Sequence, residues 1–190
     1  MGDLIYMAIM SVDGYIEDES GGFEWAEPPE EVHQFVNDLE RGVRTSLYGR
    51  RMYEIMVGWE TDPALATRSP VNRDFAELWQ AADKIVYSTT LEDVSTQRTR
   101  IERRFDPEAV RQMKTSLDHD MSISGPDLAE SAFAAGLVDE VQLITVPISV
   151  GGGKPALPRR ARVPLALTEV RSFESGFVFS RYRVTADRSG

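Results

Sequence analysis

The segment Ser124–Leu157, SGPDLAESAFAAGLVDEVQLITVPISVGGGKPAL, carries the clearest structural signal in the chain. It reads as a glycine turn, a short amphipathic helix, an acidic turn, a buried strand and a second glycine turn. A glycine before a helix lets backbone N–H groups approach an anion, and the helix dipole adds positive potential there. The alternative is an ordinary helix start that Ser124 or Asp127 caps. The glycine turn alone favours the ordinary start.

Composition limits the classes of protein to which the chain can belong. Its 190 residues predict one domain over 1–190, and 42% hydrophobic and 27% charged residues are typical of a globular protein. A net charge of −10 argues against a broad surface for nucleic acids or anionic membranes, but not against a local basic pocket for one nucleotide. With no cysteine and only His33 and His119, we expect no metal site. No segment resembles a signal peptide or a membrane span, so we expect a cytoplasmic protein.

Apolar runs and amphipathic stretches alternate along the chain and predict strands and helices in turn. The predicted strands are Leu4–Met10, Thr45–Tyr48, Lys84–Tyr87, Met121–Ile123, Val138–Val146, Val163–Phe173 and Phe177–Thr185. The predicted helices are Pro29–Leu39, Arg50–Met56, Phe75–Ala82, Glu108–Leu117 and Leu128–Ala135. The last two strands are predicted to form a hairpin, which gives a mixed sheet in an α/β layered fold. In such sheets ligands bind beyond the carboxyl ends of the strands.

Four segments together resemble the dihydrofolate reductase superfamily. They are SVDGYIE (11–17), LYGRRMYE (47–54), KIVYSTTL (84–91) and the segment that begins at Ser124. The resemblance covers Leu4 to Val184 and is closest to the branch that contains the reductase domain of riboflavin biosynthesis. It implies a three-layer fold with a mixed, mostly parallel central sheet and an antiparallel C-terminal hairpin. It also implies NADPH-dependent hydride transfer, usually in a homodimer.

The resemblance implies that the cofactor NADPH lies along three strand ends, of which Gly49-Arg50-Arg51 is the first. Arg50 matches the family arginine that meets the ribose 2′-phosphate, and Arg51 is a neighbour able to share that role. A charge-assisted contact of this kind contributes about 1.5–3 kcal/mol. The alternative is a pair of solvent-exposed arginines. Many relatives have Thr where this chain has Met52, so we expect one hydroxyl contact to be missing.

The other two strand ends carry weaker signals. Ser88 and Thr89 stand where the family holds the adenosine end of the cofactor with a serine, but hydroxyl residues also close ordinary turns. The third strand end comprises Ser124, Gly125, Pro126, Asp127 and Leu128. Dihydrofolate reductases carry a Gly-Gly pair there against the pyrophosphate. In this chain the first glycine is replaced by Ser124, Pro126 removes one N–H donor, and Asp127 has to turn its carboxylate away to cap the helix.

Two acids are candidate catalytic residues. The resemblance places an acid on the first helix, where Glu31 is nearest and Glu30 and His33 are close by. Glu31 and Phe35 are four residues apart and share a helix face, so a pocket-facing Phe35 in the substrate site brings Glu31 with it. The alternative is that the glutamates only favour the start of the helix. Asp13 is the second candidate, within a turn that the family places over the nicotinamide.

The predicted substrate site also contains Gly14, Phe23 and Trp25. Gly14 is expected to shape the turn beside Asp13, and the two aromatic rings to stack on a planar heterocycle or to serve as lid residues. The segment Gly151–Lys154 is not a triphosphate-binding loop, because Pro155 follows it and no helix begins there.

Two functions remain open from the sequence. The first is an NADPH-dependent reductase of a small planar heterocycle, pterin-like or pyrimidine-like, acting on a C=N or C=C acceptor. The second is a catalytically silent, dimeric nucleotide-binding protein of the same fold, which Met52 and Ser124 favour slightly. The resemblance and the apolar late strands, Leu143–Val150 and Phe177–Val184, predict a homodimer.

Overall fold

An eight-stranded sheet forms the centre of the computed structural model, in the order β5-β4-β3-β6-β1-β7-β10-β9. The strands are β1 (Leu4–Ser11), β2 (Tyr15–Glu17), β3 (Val43–Gly49), β4 (Asp83–Tyr87), β5 (Thr99–Glu102), β6 (Asp120–Ser124), β7 (Glu140–Val146), β8 (Lys154–Pro155), β9 (Leu165–Ser172) and β10 (Val178–Val184). The first six strands in this order, from β5 to β7, pair in parallel with their neighbours. Strand β10 is antiparallel to both of its neighbours, β7 and β9. The prediction of a mixed, mostly parallel sheet with a C-terminal hairpin is confirmed.

Seven α-helices and one 3-10 helix, Glu24–Ala26, connect these strands within the residues that the structure describes, 1–159 and 162–186. The α-helices are α1 (Glu30–Glu40), α2 (Arg50–Met56), α3 (Gly58–Thr61), α4 (Pro63–Thr67), α5 (Pro70–Ala81), α6 (Pro107–Ser116) and α7 (Pro126–Ala134). The prediction of one domain over 1–190 stays a prediction, and 160–161 and 187–190 lie outside the described residues. None of the helices in the described part is long and apolar enough to cross a membrane.

Each face of the sheet is buried by a different set of helices, because side chains alternate along a strand. On one face Leu47 and Ile123 pack with Val110 of α6 and Ala129 of α7. On the opposite face Val86 packs near Trp79 of α5. That face also carries Ile144 and Phe179, which pack with Val32 of α1. The helices thus form one layer on each face of the sheet.

Helix α5 begins earlier than its apolar spacing predicts. It starts at Pro70 rather than at Phe75, since Ser69 accepts a hydrogen bond from Asn72 N and proline suits the first helical position. The prediction missed α3 and α4, which are too short to show a period of 3.6 residues. It also missed the short strands β2, β5 and β8.

The glycine turn after β7 packs directly on the segment that joins β1 to β2, and β8 pairs with β2. Gly153 has a φ of +131°, and a Cβ at this position would lie 1.9 Å from the carbonyl oxygen of Glu17. A Cβ on Gly151, whose φ is +79°, would meet nothing within 4 Å. The close approach of the two loops therefore requires glycine at Gly153 for reasons of space as well as conformation.

We expect Gly153→Ala to destabilise the protein by about 1–3 kcal/mol more than Gly151→Ala, because only the former forces two backbones apart. Both variants place a Cβ at a positive φ, and +131° at Gly153 is less accessible to alanine than +79° at Gly151, so backbone strain and the close approach add in the same direction. Urea unfolding of the two variants measures this difference. Equal unfolding midpoints and slopes would contradict the expectation.

Candidate active site

A cavity of about 1210 Å³ lies between the sheet, α1 and α5 and extends to the carboxyl ends of β3 and β6. Small side chains on these two strands leave the space open. Ser46 is paired with Ser122, and Tyr48 with Ser124, so the three serines point into the cavity. On the neighbouring strand β4, the bulkier Val86 on the same face is fully buried. The cavity is thus a consequence of serine at the centre of the sheet.

Two helices start side by side at the carboxyl edge of this cavity. Gly49 immediately precedes α2 and Gly125, with a φ of +92°, precedes α7. A Cβ on Gly125 would lie 3.6 Å from Met52 Cβ, and one on Gly49 would lie 3.9 Å from Leu128 Cβ. The first N–H groups of a helix have no intrahelical acceptor, so the two starts together present donors to an anion. The sequence predicted both of these strand ends.

Asp127, in the first turn of α7, directs its carboxylate to Lys154 of the glycine turn at 2.6 Å. It does not cap the helix, and Gly125 makes no side-chain cap either. The carboxylate is thus turned aside by an ion pair, and the prediction that it caps the helix is wrong. Ser124, Gly125 and Pro126 line the cavity beside it, together with Leu128.

Both arginines at the start of α2 line the cavity, and each already has a partner. Arg50 Nε contacts Glu54 at 2.6 Å and Arg50 Nη1 donates to Thr90 Oγ1 at 2.8 Å. Arg51 Nη2 contacts Glu17 of β2 at 3.1 Å. Arg50 therefore lies toward the end of β4, whereas Arg51 neutralises a carboxylate on the opposite side.

Ser88 closes the turn after β4. Its hydroxyl accepts hydrogen bonds from Thr90 N and Leu91 N at 3.2 and 2.9 Å, and the residue is 8% exposed. Thr89 is exposed at the same turn, and neither residue lines the cavity. This is the geometry of an ordinary turn closed by a hydroxyl group. The turn contacts Arg50 through Thr90, whose hydroxyl accepts the hydrogen bond from Arg50 Nη1.

Helix α1 turns a different face to the cavity from the predicted one. Glu31 and Phe35 do share a face, but it is directed at the C-terminal hairpin: Glu31 Oε1 accepts from Ser175 N at 3.0 Å, and the Phe35 and Phe179 ring centroids are 4.8 Å apart. The placement of Glu31 and Phe35 in the pocket is therefore wrong. Hydrogen bonds from Ser175 also hold the pKa of Glu31 below its usual value. The cavity-lining residues of α1 are Glu30, His33, Val36 and Glu40.

Asp13 joins two loops rather than lining the cavity. Its carboxylate accepts hydrogen bonds from Ser149 Oγ and Gly151 N, both at 2.8 Å. Hydrogen bonding from Ser11, and then from these groups, holds the pKa of Asp13 far below its ordinary value. A carboxylate that stays ionised in this way is a poor proton donor. Gly14, with a φ of +88°, completes the turn and also lies outside the cavity lining.

Aromatic and imidazole rings line the mouth of the cavity. His33 packs against Phe75 and Trp59 at centroid distances of 5.5 and 5.9 Å, and burial lowers the pKa of His33. Phe23 also lines the cavity, as predicted. Trp25 instead packs beside α1, and its Nε1 donates to Gly22 O at 3.2 Å. The sequence assigned His33 no role and predicted that Trp59 packs helices or lines the mouth of the pocket.

Glu40 is the functional candidate that sequence reasoning missed completely. It lies in the last turn of α1 and lines the cavity. Burial raises the pKa of Glu40 to about 7. The spacing Glu30, His33, Asn37, Glu40 along one helical face is the signal that would have pointed to it.

Taken together, the sheet order and the cavity at its carboxyl edge define a protein of the dihydrofolate reductase-like fold class. The chain belongs to the RibD C-terminal domain family, whose model matches residues 3–179. It is similar to the uncharacterized protein YyaP of Bacillus subtilis (strain 168), with 28% identity over 179 residues. These residues are 89% of this chain and 88% of that protein.

Solved structures share the fold at low sequence identity. A pyrimidine reductase-like protein from Corynebacterium diphtheriae has a TM-score of 0.69 and 15% identity, covering 98% of this chain and 93% of its own. The Thermotoga maritima diaminohydroxyphosphoribosylaminopyrimidine deaminase/5-amino-6-(5-phosphoribosylamino)uracil reductase has a TM-score of 0.65 and 16% identity. The match covers 97% of this chain and 57% of that one. Enterococcus faecalis dihydrofolate reductase, complexed with NADP(H), has a TM-score of 0.64 and 15% identity. The match covers 97% of this chain and 98% of that one.

We expect Glu40→Gln to raise the free energy of unfolding by about 1–3 kcal/mol at pH 8 and to change it little at pH 4.5. A folded-state pKa of about 7, above the ordinary value of 4.5, means that the folded protein binds more protons between these values. The contribution of Glu40 to stability therefore falls as the pH rises through this window. Glutamine carries no charge and removes the penalty.

Chemical unfolding of both proteins from pH 4.5 to pH 8 measures the effect. Asp38→Asn, an exposed substitution on the same helix, is the control. A constant difference between Glu40→Gln and the parent protein across this range would contradict the expectation.

Proposed function

We propose that this protein is an NADPH-dependent reductase that transfers a hydride to a C=N or C=C bond of a small planar heterocycle, pterin-like or pyrimidine-like. The observation that carries the proposal is one continuous cavity. It joins two helix starts and Arg50 at the carboxyl edge to the rings of His33, Trp59 and Phe75. Its volume exceeds the roughly 300–1,000 Å³ of a site for one small molecule, which suits a cofactor end together with an acceptor. The names of the pyrimidine reductase and dihydrofolate reductase neighbours support the same reaction class.

The residues at the carboxyl edge fit the anionic part of NADPH, which supplies the hydride when bound. Asp127 N, Leu128 N and the Ser124 hydroxyl are suited to the pyrophosphate. Arg50 is suited to the 2′-phosphate, because its exposed pair with Glu54 contributes only about 0–1 kcal/mol and a phosphate contact contributes more. In this proposal Arg51 stays with Glu17 and keeps that carboxylate neutralised.

Hydride transfer also requires a proton at the acceptor. We assign its delivery to Glu30 and His33, which both line the mouth of the cavity on α1. Asp13 and Glu31 are unsuited, since hydrogen bonds hold both carboxylates in the ionised form away from the cavity. His33, with its pKa lowered by burial, is mainly neutral at pH 7 and is suited to relay a proton from solvent.

The homodimer is proposed to form through the exposed face of the C-terminal hairpin. Leu167 and Val170 on the edge strand β9 are 59% and 63% exposed. They pair with Tyr182 and Ser180 across a bulge, which places them on the same face as Val178. The predicted interface strand 143–150 is unsuited, because β7 lies between β1 and β10 with its apolar side chains buried.

We expect Arg50→Ala to weaken NADPH binding about 10- to 100-fold and to leave NADH binding unchanged, because only NADPH carries the 2′-phosphate. Titration calorimetry with both cofactors measures the affinities. Arg111→Ala removes an exposed arginine with a similar intrahelical pair on α6 and serves as the control.

An Arg50→Ala variant that binds both cofactors like the parent protein would overturn the 2′-phosphate assignment. Absence of micromolar binding of either cofactor to the parent protein would overturn the proposed function. If NADPH binds but is not oxidised in the presence of dihydrofolate, pterins, flavins or aminopyrimidines, the alternative of a catalytically silent nucleotide-binding protein is favoured. Met52 in place of a hydroxyl residue favours the same alternative.

For the dimer, we expect sedimentation velocity to show two chains of 21.3 kDa in one particle. Leu167→Glu/Val170→Glu places charges on the hairpin face and is expected to give a monomer. Val12→Glu, at an equally exposed apolar residue of the β1–β2 turn, is expected to stay dimeric. A monomeric parent protein, or a double variant that remains dimeric, would refute this interface.

A further inference from the structure

Lys154 brings a positive charge to the edge of the cavity from the glycine turn after β7. It lines the cavity together with the first residues of α7, and its side chain is 25% exposed. Its backbone is fixed from two sides. It pairs with Glu17 of β2, and it follows Gly153, where the two loops approach too closely for a side chain. The lysine is therefore anchored beside the start of α7 by the backbone that carries it.

Asp127, the ion-pair partner of Lys154, is anchored much more weakly. Its side chain is 83% exposed, and within the part of the chain that the structure describes its carboxylate contacts no cation other than Lys154. An ion pair with so exposed a carboxylate contributes little to stability, because water solvates the carboxylate almost as well once the pair is open. Opening of the pair thus turns the aspartate into solvent and leaves the lysine at the cavity.

The neighbouring ion pair of Arg51 with Glu17 has the opposite character. The Glu17 side chain is only 11% exposed, so water does not readily replace Arg51 as its partner. Lys154 instead resembles Arg50, whose acidic partner is also largely exposed. The cavity edge therefore contains one ion pair that is built into the fold and two whose cations are available to an incoming anion.

The carboxylate of Asp127 also occupies a position that an anion would favour. It stands in the first turn of α7, where free N–H groups and the helix dipole attract negative charge. Burial first, and then the charge of Asp127, raises the pKa of Tyr6, which lines the cavity. The negative charge of Asp127 therefore acts inside the cavity and repels a second anion at the same helix start.

We propose that Lys154 exchanges its partner Asp127 for the pyrophosphate of NADPH, so that Asp127 is an internal competitor of the cofactor. This inference rests on the proposed function, in which the start of α7 holds the pyrophosphate. The exchange replaces a carboxylate by a group of greater negative charge, which the helix start and Lys154 then bind together. Asp127 keeps the empty site close to neutral and makes cofactor affinity lower than the cations alone would give.

Titration calorimetry with NADPH and NADH compares the parent protein with variants of each partner. Lys154→Met is expected to weaken binding of both cofactors about tenfold or more, since both carry the pyrophosphate, whereas Arg50→Ala affects NADPH alone. Asp127→Asn is expected to strengthen binding of both by about threefold to tenfold, because the competing charge is gone. Lys154→Arg keeps the charge and is expected to stay within about threefold of the parent protein.

Lys114→Met is the matched control. It removes the same charge from an equally short ion pair, with Asp139 at 2.6 Å, outside the cavity lining, and is expected to leave both affinities unchanged. The double variant Asp127→Asn/Lys154→Met tests the exchange itself, because the gain from Asp127→Asn is expected to be smaller when the lysine is absent. Asp127 is exposed, so its variant stays informative even where Lys154→Met unfolds.

Affinity changes of the same sign in Lys154→Met and Asp127→Asn would overturn the proposal, because a purely structural ion pair is lost equally from either side. So would an unchanged affinity in either variant, or a gain from Asp127→Asn that persists in full in the double variant. Absence of NADPH and NADH binding to the parent protein would overturn the proposed function and this inference with it. Each of the other outcomes leaves the proposed function standing.

Discussion

The parallel pairing of β3 with β6 is the constraint on which both halves of the site depend. Its register places Tyr48 beside Ser124, so the glycines that follow these strands are neighbours and α2 and α7 start side by side. The same register aligns Ser46 with Ser122, and these small side chains leave the cavity beneath α1 and α5. A slip of one residue would turn the serines to the opposite face and close the cavity with apolar side chains. One strand pair thus positions the two helix starts and the cavity together.

Electrostatics divides this cavity into two ends of opposite character. Helix starts and arginines make the carboxyl edge attractive to phosphates, although Glu54 and Glu17 partly neutralise the arginines. Away from these starts the cavity is lined by Glu40, whose pKa burial raises to about 7.

Periodicity and turn residues predicted the mixed sheet, most of the helices and two of the three strand ends around the cavity. Local patterns did not predict how α1 is rotated, which tertiary packing on the hairpin decides. Glu31 and Phe35 share a face as expected, but one residue corresponds to a rotation of about 100°, enough to exchange Glu31 for Glu30 at the cavity. The role of Asp13 depends on Gly151, a contact between residues 138 positions apart. Contacts over such distances leave no signal in composition or spacing.

Hydrogen exchange of the whole protein with and without NADPH tests the central claim, that the paired starts of α2 and α7 hold the cofactor, most directly. Saturating NADPH is expected to slow amide exchange at 50–52 and at 127–128 together. NADH is expected to protect 127–128 but to leave 50–52 nearly unchanged, because it lacks the 2′-phosphate. Protection confined to other parts of the chain, or equal protection of 50–52 by both cofactors, would contradict the account.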